Sequence, residues 1–157
     1  MGEPRWLDER QQRAWRSLAA VMLRLPIELE RQLRRDAELT HFEYWVLAML
    51  SETADRTLQL SDLAARASAS LSRLSHVVTR LEDKGWLRRE RCPGDARATN
   101  AVLTEAGWDK VVASAPGHVE EVRRLVFDGL DDQGVGELAR ACDAILERLA
   151  KRSFTVT

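Results

Sequence analysis

Between Ser61 and Leu103 the apolar periodicity of this chain changes twice, and that change restricts the fold more than any bulk property does. Ser61–Arg66 is long enough only for a short helix, with Leu63 and Ala64 facing inward. Ser68-Ala69-Ser70 follows as a tight link. Over Ala69–Lys84, Leu71, Leu74, Val77, Val78 and Leu81 collect on one side of a helical wheel and mark a core face. Gly85 ends that helix, since a glycine just past the last periodic residue accepts the left-handed backbone of a helix stop. Trp86–Arg91 and Thr99–Leu103 then read as strands joined by the turn Cys92-Pro93-Gly94-Asp95. Short helix, tight turn, longer helix and hairpin is the order of a helix-turn-helix with a wing.

The flanks are helical. Trp15, Leu18, Met22, Leu25, Leu29 and Leu33 recur at spacings of three and four, and Pro26 is expected to kink or interrupt that helix. Thr40 and Glu43 have the spacing of a capping box ahead of Phe42, Trp45, Val46, Met49 and Leu50. Asp55-Arg56-Thr57 reads as a connection. Thr104 caps a helix running towards Phe127, with a kink or local unwinding expected at Pro116-Gly117. After Gly129 and Asp131-Asp132 a last helix carries Leu138, Cys142, Ile145, Leu146 and Leu149, with Cys142 placed in its core face. The fold class expected is mainly α with a small β-hairpin wing.

A net charge of −1 looks wrong for a nucleic-acid binder, but its distribution does not. Residues 72–104 carry +3, against −1 for residues 1–71 and −3 for residues 105–157. A local patch matters more for binding than the average. Opposite the core face of the Ala69–Lys84 helix lie Ser72, Arg73, His76, Thr79 and Arg80, while Glu82 and Asp83 wait until the last turn. Arginine can bond guanine bidentately, and serine or threonine can bond phosphate or base edges. Ser70 stands at the head of this helix, where backbone N–H groups point at phosphate. Taken alone, the pattern also fits an amphipathic helix with a solvated face. The short helix upstream and the basic hairpin downstream turn it towards DNA.

The hairpin holds Arg88, Arg89, Arg91 and Arg97. A ribbon tipped with arginine suits a narrow minor groove. Asp95 is expected to hold the turn and orient a nearby arginine. Of Arg88 and Arg89, one reads equally as an ordinary surface position, because strand neighbours point to opposite faces.

Leu81-Glu82-Asp83-Lys84-Gly85, then Trp86-Leu87-x-Arg89, Asp95-Ala96-Arg97 and Leu103-Thr104-Glu105-Ala106-Gly107 together resemble the MarR family of bacterial regulators over residues 40–108. The resemblance implies a winged helix-turn-helix with N- and C-terminal dimerisation helices, in regions 1–39, 40–108 and 109–157. It implies a homodimer on a pseudo-palindromic double-stranded DNA operator, the DNA-binding residues being Ser70, Ser72, Arg73, His76, Thr79, Arg80, Arg89, Asp95 and Arg97. The apolar faces of the terminal segments support the dimer, since one small winged domain cannot cover them. The resemblance further implies repression relieved by a small phenolic or other amphipathic ligand, with Trp15, Met22, His41, Tyr44 and Trp45 as the ligand-binding candidates. Each of these also fits a core or interface position. An architectural DNA-binding protein without ligand response is the alternative.

Other chemistry is not expected. No apolar run reaches the ~18–20 residues of a membrane span, and the charged N-terminus lacks an apolar leader, so the cytoplasm is expected. Cys92 and Cys142 lie far apart and read as free thiols, although Arg91 beside Cys92 could activate it. His41, His76 and His118 lack ligand spacing, so no metal or other cofactor is expected. No phosphate loop, GxSxG, HExxH or catalytic carboxylate pair occurs, and an enzyme is not expected.

Overall fold

The computed structural model describes residues 3–153, omitting side chains from 151 onward. They divide into two compact units, with the boundary between His118 and Val119. In the first, α1 spans Glu9–Ala37 and opens on a capping box between Asp8 and Gln11. It runs without a break through Pro26, contrary to the expected interruption. A proline inside a helix costs ~3 kcal/mol. Burial of Leu29, Leu33 and Ala37 in the following turns offsets that cost. The next helix, α2 (His41–Ser51), starts at the predicted capping box. The Thr40 hydroxyl accepts the Glu43 N–H at 3.0 Å, and the Glu43 carboxylate accepts the Thr40 N–H at 2.9 Å.

Thr57–Gln59 forms a strand, β1, where only a connection was expected. α3 (Leu60–Arg66) follows, then a turn with Ser68 in the left-handed region (φ +50°), then α4 (Leu71–Asp83), N-capped by Ser70. The Ser70 hydroxyl accepts the Arg73 N–H at 3.2 Å, which satisfies one of the orphan donors of the helix start. β2 (Leu87–Cys92) and β3 (Asp95–Leu103) make the hairpin, with a register shift at Arg91/Cys92 and Gly94 at φ +91° in the turn. The returning strand is longer than expected. With β1 the hairpin forms a three-stranded antiparallel sheet in the order β1-β3-β2.

Burial along β3 deepens steadily from an exposed Asp95 end to buried Ala101, Val102 and Leu103. A strand with that gradient is rooted in the core and projects from it. The core gathers Leu33, Leu39, Val46, Leu47, Leu50, Leu63, Leu74, Val78, Leu81 and Leu87 from α1 to β2. Leu71 does not join them. At the first turn of α4 it stays 54% exposed, beyond the reach of the core.

α5 spans Glu105–Val122 and stays helical through Pro116 and Gly117. Buried Ser114 and His118 on either side hold it in place, and the irregular stretch is a π-turn further on, Arg123–Phe127. In the second unit α6 (Asp132–Ser153) exposes Leu138, Ile145 and Leu146. Cys142, expected in a core, is exposed there. Among the described residues no helix is long and apolar enough to cross a membrane.

Candidate nucleic-acid interface

Two small residues set the joint where α4, the hairpin and α5 meet. The Thr104 hydroxyl donates to the Gly85 carbonyl (2.7 Å) and accepts the Gly107 N–H (3.0 Å), while the Thr104 N–H donates to the Trp86 carbonyl (3.1 Å). A Cβ on Gly107 would stand 1.9 Å from the Trp86 carbonyl oxygen. Only glycine allows that approach, which gives the Leu103-Thr104-x-x-Gly107 spacing its physical meaning.

On α4, Ser72, Arg73, His76, Thr79 and Arg80 are all exposed, and the first turn holds no acid. The helix wheel thus placed the solvent face correctly, but it did not show what the side chains on it touch. The Arg73 guanidinium lies over the Phe42 ring, 4.3 Å from its centroid. Arg80 Nε donates to Glu43 Oε1 at 3.2 Å. Arg73, His76 and Arg80 line a shallow cleft of ≈ 350 Å³ with Glu30, Thr40 and Phe42. The Thr79 hydroxyl is already engaged. It donates to the Ser75 carbonyl at 3.0 Å and accepts from Arg89 Nη2 at 3.0 Å.

Arg89 turns away from solvent. Its Nη1 pairs with Glu82 Oε2 at 2.5 Å, its Nη2 also donates to the Ser75 carbonyl at 3.1 Å, and its backbone N–H donates to Glu82 Oε1 at 2.9 Å. That backbone bond, with the guanidinium behind it, holds the Glu82 carboxyl below the ordinary range despite partial burial. Arg89 therefore clamps β2 to α4, and Arg88 pairs with Glu90 on the other strand face. Asp95 holds the turn as expected, but through the Arg97 backbone N–H (2.9 Å) rather than a guanidinium. Among the described residues none forms a hydrogen bond or ion pair with the exposed Arg97 guanidinium. Asp95 and Arg97 line a second cleft of ≈ 360 Å³ with Ser61, Leu71, Ser75 and Thr99.

The ligand candidates separate into two places. His41 and Tyr44 converge on His118, with ring centroids 5.8 and 4.5 Å away, and Trp45 lies 6.4 Å from His41. His118 Nδ1 is 3.3 Å from the buried Gln32 Oε1. Burial pushes the His118 pKa down, and the neighbouring His41 adds to it. Burial also lowers His41, partly opposed by Glu30, and raises the Tyr44 phenol. Trp15 and Met22 are not part of this group within one chain. They are 54% and 51% exposed on α1, and Trp15 stands about 22 Å along the axis from Glu30, which accepts the His41 N–H. Glu43 and His118 are the functional candidates that sequence reasoning passed over. Glu43 was visible only as a cap, and His118 only as one unclustered histidine.

The family model described as the MarR family matches residues 39–99. The solved structure of Sco3205, a MarR family transcriptional regulator from Streptomyces coelicolor in complex with DNA, superposes with a TM-score of 0.90 at 42% identity, over 95% of this chain and 93% of that one. Among curated relatives, the HTH-type transcriptional repressor IacR of Pseudomonas putida is 27% identical over 84% of this chain and 77% of its own length. The HTH-type transcriptional regulator YdcH of Bacillus subtilis is 32% identical over 57% of this chain, and the match spans 62% of its length, just short of two thirds.

Proposed function

This chain belongs to the MarR family, and from that premise we propose that it is a sequence-specific DNA-binding regulator of transcription, acting in the cytoplasm as a homodimer and as a repressor. The observation that carries this reading is the arginine-bearing solvent face of α4, whose first turn holds no acid, beside a wing whose tip arginine side chain has no hydrogen bond or ion pair among the described residues. Ser72, Arg73, His76 and Arg80 enter the major groove, and Arg97 enters the minor groove. Ser70 contributes as the cap that aims the helix start at phosphate. Arg89, Thr79 and Asp95 hold the reading surface together from within. Nothing in this reading calls for catalysis.

The homodimer is supported by apolar surface that one chain leaves uncovered in each unit: Trp15, Val21, Met22, Leu23 and Ile27 on α1, and Leu138, Ile145 and Leu146 on α6. Two-fold symmetry then requires a pseudo-palindromic site read in successive major grooves. His41, Tyr44 and Trp45 supply the aromatic surface for a small phenolic or amphipathic ligand that releases DNA.

The test is a titration into duplex DNA from upstream of its own gene, beside a scrambled duplex of equal length, at several salt concentrations. Tight, salt-sensitive binding that prefers the native duplex is expected. Equal binding to both would favour an architectural role, and no binding even at low salt would overturn the reading.

A further inference from the structure

The first turn of α2 touches two of the arginines on the α4 solvent face, and it does so with adjacent residues. Phe42 lies beneath the Arg73 guanidinium at 4.3 Å. Glu43 accepts Arg80 Nε at 3.2 Å through one oxygen, and its other oxygen is 3.8 Å from Lys84 Nζ. The Glu43 side chain is 5% exposed and the Arg80 side chain 55%, so the carboxylate is rooted in the protein while the guanidinium stays on the surface. Arg73 and Arg80 are seven residues apart, hence on one face and about 10 Å apart along the helix. The turn that holds them is itself fixed, because Glu30 of α1 accepts the His41 N–H at 2.6 Å.

We propose that Phe42 and Glu43 are positioning residues that determine DNA specificity without touching DNA. The inference rests on the reading above in which Arg73 and Arg80 contact bases. An unrestrained arginine loses much rotamer freedom when it docks, whereas one already aimed loses less, and only where the base matches the aim. The carboxylate also offsets part of the Arg80 and Lys84 charge, which weakens attraction to phosphate on any duplex. Both effects widen the gap between the right sequence and all others.

The test uses the full-length homodimer and a duplex that it enriches from a random-sequence pool, compared with a scrambled duplex. Glu43→Gln preserves a residue type that closes a capping box but removes the charge. It should lower the selected-to-scrambled affinity ratio about tenfold, tighten scrambled binding and steepen its salt slope. In an Arg80→Ala background the same change should alter the ratio little further, since the effect passes through the arginine. Phe42→Leu keeps an apolar side chain and removes the ring. It should relax preference at different base pairs from those affected by Glu43→Gln, and it decides the matter alone should Glu43→Gln fail to fold. An unchanged ratio in the folded variants, or a full Glu43→Gln effect without Arg80, overturns the proposal. Unchanged ratios in Arg73→Ala and Arg80→Ala themselves would instead remove the base-reading assignment, and this inference with it.

Discussion

At the root of the wing Arg89 turns inward onto Glu82, Ser75 and Thr79, whereas at its tip Arg97 gives its backbone N–H to Asp95 and, among the described residues, its guanidinium has no hydrogen bond or ion pair. The two lie eight residues apart in one hairpin, and both are plain surface arginines in the sequence. What separates them is the supply of acceptors. The root packs against α4, where a carboxylate, a carbonyl and two hydroxyls can take up a guanidinium. At the tip the exposed Arg97 side chain has no such acceptor among the described residues. An arginine whose bonds are satisfied within the fold contributes to stability, and one left without them is available to an outside anion.

Substitutions at root and tip should therefore separate stability from binding. The largest effect belongs to Gly107→Ala, which sets a Cβ against the Trp86 carbonyl and 2.7 Å from Leu103 Cδ1. Overpacking of backbone by backbone-linked atoms should cost about 3 kcal/mol in urea unfolding. A loss under ~1 kcal/mol would mean that the wing root yields easily. Arg89→Ala comes next, at about 1–3 kcal/mol, since it strands a partly covered Glu82 and removes several charge-assisted bonds. If it cost nothing while weakening DNA binding, root and tip would not differ as described.

Acid gives a smaller effect at the same root. The Glu82 carboxyl has its pKa lowered in the folded chain, so its contribution is complete above the ordinary value of 4.5 and is lost as pH falls through the lower folded value. Thermal midpoints should drop on acidification below that point, and Arg89→Ala should flatten this part of the profile. The smallest stability change is expected for Arg97→Ala, within about 0.5 kcal/mol of the unmodified protein.

Much of this contrast was hidden from sequence reasoning, although the frame was not. The Thr40–Glu43 capping box, the stop at Gly85 and the two strands are local signals, decided within a few residues, and each appears close to where the spacing put it, although β3 starts four residues earlier than expected. β1 escaped because Thr57-Leu58-Gln59 is too short to show a period, and its pairing with Asn100–Val102 crosses more than forty residues. Pro26 and Pro116 were expected to kink or interrupt their helices, and both helices continue through them with buried residues close by. On α4 the wheel separated core from solvent at every turn except the first, where Leu71 runs past the end of the core. The partners of Arg73, Arg80 and Arg89 could not be read at all. They sit on α2 or on the far side of a turn, and a helical wheel shows which way a side chain points without showing what waits there.

The central claim, that the wing tip meets phosphate-rich DNA while the root holds the fold, is tested most directly by the salt dependence of Arg97→Ala. Affinity for a preferred duplex would be measured from low to physiological salt for the homodimer with and without that change. The account predicts weaker binding and a slope of log affinity against log salt reduced by about two, one for each wing. An unchanged slope and affinity would contradict it and remove the wing tip from the interface.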